Sequence, residues 1–350
     1  VISMLIKSFG KNNSVEIKEA ILENKNNHIS IISYGAITKS WIVSHGRKEV
    51  PILLGFDSLA AYKDDKNFIG IIAGRVANRI KAGYFKIADN EYQLALNDYP
   101  NHLHGGKFGF GKKNWNLDVN SDECSVRLSR VSPHMEEGYP GNVIIHVTVT
   151  LNEDSLSYEM WAKPDRPTPI NLAQHNYYNL LGQGNIWSHR FESIATNYTP
   201  VDAHLIPDGQ FKNIGELSYG FSKIVNNGGQ ATITELDPEK KGIDINLVLG
   251  DSKGVCRRVA KMVAGNGLSM EVFTDELGLQ FYTGGNLSSN YLGHMGSKYR
   301  SFEGFCLEPQ SYPASINIPS FPSVIYTPDN PYRQKTTIKI CSRFENTKLN

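Results

Sequence analysis

Residues Val143–Leu151 alternate without a break: Val143, Ile145, Val147, Val149 and Leu151 fall on one side, Ile144, His146, Thr148 and Thr150 on the other. Side chains of a strand point to opposite faces in turn, so the segment reads as a strand with one buried face. After the turn Asn152-Glu153-Asp154, the residues Leu156, Tyr158, Met160 and Ala162 continue at the same period. Two runs of equal period joined by a short polar turn specify a hairpin laid on a core. A second hairpin is predicted from Tyr84–Ile87, the turn Ala88-Asp89-Asn90 and 92–96. Further strands are expected at 29–34, 50–54, 68–73, 125–130, 268–274, 279–283 and 336–341.

Helix signals are few. Asp57 or Ser58 could cap a short helix through Tyr62, and 14–22 fits a helix or a strand. Gly and Pro are scattered rather than gathered into a linker, and no internal repeat or low-complexity tract occurs. The expectation is an all-β chain, one large antiparallel β-sandwich domain over 1–350. The connections 98–114 and 163–186 are long and rich in His, Asn and aromatic residues, and long loops on a rigid sheet commonly carry sites.

Charge narrows the partners. The 350 residues hold 36 Lys+Arg against 35 Asp+Glu, a formal net charge of +1. That balance gives no footprint for nucleic acid or an anionic membrane. No apolar stretch approaches the roughly 20 residues needed to span a bilayer, and the apolar run at 1–6 is too short for a signal peptide. Cys124, Cys256, Cys306 and Cys341 are far apart and form no C-x-x-C pair, which fits reduced thiols and a cytoplasmic location. The triplets beginning at Asn12, Asn197 and Asn286 match the glycosylation pattern but read as fortuitous without a secretory signal.

One carboxylate stands out. Glu308 lies in the apolar run Gly304-Phe305-Cys306-Leu307-Glu308-Pro309-Gln310. An ionised group there is costly to desolvate unless partners hold it. Pro309 favours an extended Glu308 and has no N–H, so the strand is expected to stop at the acid. Such a strand end can present a catalytic base; a structural ion pair would account for the same residue. His102 and His104, in Asn101-His102-Leu103-His104-Gly105-Gly106, would share one face of a strand, and the glycine pair would let the backbone approach a ligand. Their spacing suits a metal, but no third ligand follows at a typical distance. The glycines of 106–111 lack the context of a phosphate loop and read as a tight turn.

The segment 171–180, Asn-Leu-Ala-Gln-His-Asn-Tyr-Tyr-Asn-Leu, sets His175 among amides and phenols. Amides suit sugar hydroxyls and aromatic faces suit the C–H side of a sugar ring; a core histidine bonded to backbone is the plainer alternative. Arg75, Asn78 and Arg79 lie together in 74–80, where a surface ion-pair cluster would serve equally. Asp244 and Gln280 are weaker single candidates.

Taken in order, 74–80 (GRVANRI), 101–106 (NHLHGG), 136–142 (EEGYPGN), 171–180 (NLAQHNYYNL), 274–284 (TDELGLQFYTG) and 306–310 (CLEPQ) resemble the aldose 1-epimerase (galactose mutarotase) family. The resemblance spans roughly 30–340 and implies a large antiparallel β-sandwich. It implies that Glu308 is the general base taking the proton from the anomeric hydroxyl, and His175 the general acid protonating the ring oxygen. His104 matches a second imidazole at the sugar; Asn78, Arg79, Asp244 and Gln280 match hydroxyl contacts. The implied substrate is a free aldohexose, with no cofactor and with a monomer or weak homodimer as the expected state. Ring opening needs one base and one acid together; a carboxylate near its ordinary pKa of ~4.3 would serve as the base. A neighbouring carboxylate would raise the imidazole pKa above its ordinary value. The chain departs from the family pattern at Ile245, Gln174, Asn176 and Pro309, which bears on sugar preference. The alternatives are a hexose-6-phosphate epimerase of the same fold, a non-catalytic sugar-binding regulator, and a metal-dependent isomerase on His102 and His104.

Overall fold

The computed structural model describes residues 3–250 and 253–342. Its strands pair antiparallel throughout the named sheets, three of which organise the chain. The N-terminal sheet is a five-stranded meander, Ser3–Asn12, Val15–Glu23, Asn27–Ile32, Ile37–His45 and Lys48–Pro51, in chain order. The predicted hairpin, Val143–Leu151 with Ser155–Pro164, lies inside a nine-stranded sheet, where it is flanked by Ser125–Ser132 and Tyr332–Ser342. Val147 faces Met160 and Val149 faces Tyr158 across the pair. The inward residues are buried, whereas Ile144 on the outer side is 46 % exposed. Each aliphatic side chain so buried contributes about 1.5–3 kcal/mol over leaving it in water.

The third sheet holds Asp244, Gln280 and Glu308. Its five strands run in the order Lys212–Asn213, Asn197–Thr199, Asp244–Val248, Gly278–Tyr282 and Cys306–Gln310. Alternation sends Leu247, Leu279 and Leu307 into the main core, beside Leu22, Ile31 and Trp41 of the N-terminal sheet and Val147, Tyr158 and Val272 of the nine-stranded sheet. One continuous core therefore joins all three sheets. The opposite face of the third sheet is left for polar residues.

Several local expectations change. Segment 14–22 is a strand, Val15–Glu23. The short helix is Leu59–Asp64, capped by Ser58, whose Oγ accepts from the Ala61 N–H at 3.3 Å. In 68–73 only Ile72–Ala73 pairs, because Phe68 (φ 60°) and Gly70 (φ 73°) turn the backbone out of the extended region. The hairpin after Tyr84–Ile87 ends at Asn90–Gln93. Strand Cys306–Gln310 does not stop at Glu308 but continues through Pro309. It is the edge strand of its sheet, and with a single ladder neighbour a strand tolerates one missing N–H. The Pro309 carbonyl is taken up by Gln334 Nε2 at 2.8 Å.

Arg75 is not on the surface. It is 2 % exposed; Nη1 donates to Pro140 O at 2.6 Å and Nη2 to Ser132 Oγ at 2.6 Å. The guanidinium lies 5.6 Å from the centre of the Tyr139 ring. Burial draws its pKa down to about 10, so it stays charged at neutral pH. This residue ties the loop bearing Asn78 and Arg79 to the loop containing 132–140. Arg75→Met should therefore cost about 3 kcal/mol, the scale of stranding buried partners of a charge. A urea midpoint equal to that of the parent protein would show that the guanidinium is not an anchor.

Candidate active site

Glu308, Gln280 and Asp244 come from three adjacent strands of the third sheet and share one face. Gln280 pairs with Glu308 across one ladder and with Asn246 across the next, and Asp244 lies two residues from Asn246. Gln280 Nε2 donates to Asp244 Oδ1 at 2.6 Å. A carboxylate only accepts, so this bond turns the amide oxygen the other way. Among the described residues, neither Gln280 Oε1 nor Glu308 Oε2 has a hydrogen-bond partner, and both are buried.

His175 arrives on the loop predicted to be functional. Gln174 Nε2 donates to Leu307 O at 2.7 Å and fastens that loop beside the edge strand. The His175 N–H donates to Ile71 O at 2.9 Å, and its own carbonyl accepts from the Gly70 N–H at 3.0 Å. The ring then stands with Nε2 3.7 Å from Glu308 Oε1 and Nδ1 3.7 Å from Cys306 Sγ. Thiol and carboxylate thus approach opposite nitrogens. Among the described residues, His175, Cys306 and Glu308 hold ligand-type atoms within 4.8 Å of one another, yet the closest contacts do not converge on one ring nitrogen as a metal would require.

His104 and Asn78 form a reciprocal pair. The Asn78 N–H donates to His104 Nδ1 at 3.1 Å, and the His104 N–H donates to Asn78 O at 3.1 Å. With Nδ1 accepting, the proton of the neutral ring resides on Nε2, which becomes a donor. Both residues have left-handed backbones, φ 63° for Asn78 and 49° for His104. Such conformations persist where the surroundings enforce them. Arg79 Nε donates to Asp98 Oδ2 at 2.7 Å. The rings of His104 and His175 meet edge to face with centroids 5.1 Å apart, and Phe68 packs on both.

The left-handed turn at His104 ends the alternation predicted to put His102 on the same face. His102 is fully buried; its Nδ1 meets Ala95 O at 2.8 Å and its Nε2 meets Tyr139 OH at 2.7 Å. Both nitrogens are engaged, so the arrangement does not support a metal held between His102 and His104. The glycine pair also has another purpose. A Cβ on Gly105 would lie 1.8 Å from Gly74 O, so the close approach is between two loops rather than to a ligand.

Burial dominates the electrostatics. It pushes the Glu308 pKa well above the ordinary carboxylate value, and Asp244 adds to the rise while Arg79 opposes it. It lowers His175 to about 4 and His104 well below the usual imidazole value. Both expected values are therefore overturned: the carboxylate is not near its ordinary pKa, and its presence does not raise the imidazole. Desolvation of the charged forms outweighs any attraction between the two groups. Two of the departures from the family pattern, Ile245 and Asn176, are engaged with the core. Ile245 packs against the core; Asn176 Nδ2 donates to Tyr158 OH at 2.9 Å and to Tyr178 OH at 3.1 Å.

The structure thus assembles Glu308, His175 and His104 with Asn78, Arg79, Asp244 and Gln280. Two further polar residues, Asn246 and Thr199, lie in the same cross-strand row. The sequence analysis missed them; the alternation Asp244-Ile245-Asn246-Leu247 is the signal that could have found the first.

The aldose 1-epimerase family profile matches residues 19–339. The galactose mutarotase of Bos taurus is 38 % identical over 323 residues, 91 % of this chain and 92 % of that protein. The human galactose mutarotase is 39 % identical over 316 residues, 89 % and 90 % of the two chains. The aldose 1-epimerase of Escherichia coli (strain K12) is 32 % identical over 278 residues, 77 % and 78 % of the two chains. The solved structure of an aldose epimerase homologue from C. elegans superposes with a TM-score of 0.84 at 25 % identity, covering 92 % of this chain and 97 % of that one. The chain belongs to the aldose 1-epimerase family.

Proposed function

We propose that this protein interconverts the α and β anomers of free aldohexoses such as galactose and glucose, with Glu308 as general base and His175 as general acid. The observation that carries the assignment of roles is the buried carboxylate beside an imidazole, with one carboxylate oxygen lacking any protein partner. The likeness to galactose mutarotases supports the reaction.

Burial raises the Glu308 pKa and lowers that of His175, so a proton shared by the pair favours the carboxyl group over the ring. A sugar whose O1 hydroxyl donates to Oε2 stabilises the ionised carboxylate, and the proton passes to His175. Glu308 then takes the O1 proton while His175 Nε2–H protonates O5. The C1–O5 bond breaks, and C1–O1 becomes a carbonyl. Glu308 ends protonated and His175 neutral, which is the resting arrangement. Rotation about C1–C2 and reversal of the same transfers close the ring on the other face. No atom is consumed and the site's net charge is constant. Positioned acid and base groups each contribute typically about 10²–10⁴-fold.

His104 Nε2–H is a fixed donor to the sugar, and Asn78, Arg79, Asp244 and Gln280 hold its hydroxyls. Arg79 is already paired with Asp98, and Asp244 and Glu308 make the pocket rich in acceptors. Those features favour a neutral sugar over a hexose phosphate.

Glu308→Gln should lower kcat by at least ~10²-fold with a much smaller change in KM, measured by polarimetry on freshly dissolved α-galactose and α-glucose. Near-parent mutarotation by the folded variant would remove Glu308 from the role of base. A second outcome concerns His175. Because burial depresses its pKa, the ring should stay neutral as pH falls from 7 and gain its proton only near 4. Long-range 1H–15N NMR of the free protein checks this, and titration at or above ~6.5 would contradict the resting arrangement. EDTA should leave the rate unchanged; loss restored by zinc would replace the proton relay with a metal.

A further inference from the structure

The face that presents Glu308 continues as an ordered row. Thr199, Asn246, Gln280 and Glu308 oppose one another across four adjacent strands. Three members of this row end in a buried oxygen that no group among the described residues satisfies: Asn246 Oδ1, Gln280 Oε1 and Glu308 Oε2. An unmet buried acceptor is costly, and three in register on neighbouring strands call for three donors in a line. The amide of Asn246 has its direction set, because Nδ2 donates to Thr199 Oγ1 at 3.3 Å. Asn246 is 2 % exposed and borders, with Gln280, Asp244, Asn78 and Arg79, a cavity of about 10 Å³. That is room for about one hydroxyl-sized group.

The sheet order also fixes a direction. The strand of Glu308 is an edge, with Gln280 on its inner side, and Gln174 bonds that edge strand and carries His175 beside it. Moving inward from Glu308 one meets Gln280 and then Asn246, each roughly 4.8 Å further in strand spacing. In a pyranose, C1 has the ring oxygen on one side and C2 then C3 on the other. If O5 lies toward His175, the C1–C2–C3 edge runs inward along the row.

Resting on the anomerase reading above, we propose that Asn246, oriented by Thr199, is a substrate-binding residue that accepts the C3 hydroxyl. Gln280 takes O2 and Glu308 takes O1. The row reads the ring edge that galactose and glucose share, and C4, where they differ, lies off it.

The test is a series of 2-, 3-, 4- and 6-deoxygalactose with the parent protein, Asn246→Ala and Thr199→Val, scored by kcat/KM and by calorimetric Kd. In the parent, loss of the 3-hydroxyl should cost about 5- to 150-fold, the range for stranding one buried acceptor, mostly in KM, while the 6-deoxy sugar changes little. In Asn246→Ala the galactose and 3-deoxygalactose values should converge while the 2-deoxy penalty persists. Thr199→Val, which keeps the shape, should weaken the 3-hydroxyl discrimination partway. A parent protein indifferent to the 3-hydroxyl overturns the proposal. So do variants that penalise every sugar equally, which would mark Asn246 as purely structural. Should the parent interconvert no aldose at all, the anomerase reading fails instead, and the Kd series alone then decides Asn246.

Discussion

A carboxyl group shut away from water beside an imidazole governs this molecule, because every neighbouring element is arranged around its desolvation. Glu308 is 2 % exposed, and His175 Nε2 lies 3.7 Å from its Oε1. Full ionisation of both partners in such a place is expensive, and the protein does not impose it. Burial instead raises the pKa of the carboxyl group and lowers that of the ring. In the proposed mechanism the reactive pair forms when hydroxyl donors arrive, so the sugar would complete the electrostatics of its own site. This is a different device from an exposed ion pair, which would be screened by salt and available to bulk water.

The scaffold answers that demand in layers. Alternation along Asp244–Val248, Gly278–Tyr282 and Cys306–Gln310 puts leucines in the core and acceptors in the site. The imidazoles come from loops, and each loop is pinned elsewhere. The Tyr158 hydroxyl meets Thr38 Oγ1 at 2.8 Å and Asn176 Nδ2 at 2.9 Å, tying the loop of His175 to two sheets at once. Segment 136–142 works one layer further out. Glu136 accepts from both Arg130 Nη atoms at 2.9 and 2.8 Å, and Tyr139 engages His102. None of these groups touches the site, yet they fix the loops that do.

Much of this was legible in the sequence. The strict alternation of Val143–Leu151 identified its hairpin, because nothing polar interrupts the inward face. Glu308 declared itself as a charge in an apolar run, and His175 as a titratable ring among amides. The site strand Asp244–Val248 was overlooked because its alternation, though present, runs for only five residues and is easily passed over as a loop. Asn246 was lost with it. The two pKa expectations failed because attraction between neighbours can be guessed from residue types, whereas desolvation depends on how completely the fold excludes water. The fate of Pro309 depended on edge position, which strand order decides and a local reading cannot supply.

Asn78 and His104 close each other's hydrogen bonds while both occupy left-handed backbone, at φ 63° and 49°. A side chain in that region costs about 1–2 kcal/mol that glycine avoids. Glycine at either position would relieve that backbone, but at 104 it would also remove the Nδ1 that accepts from the buried Asn78 N–H, and neither glycine has an imidazole or amide to offer. A library screened for stability alone should tolerate glycine at 78 more readily than at 104, because only the second change strands a buried donor.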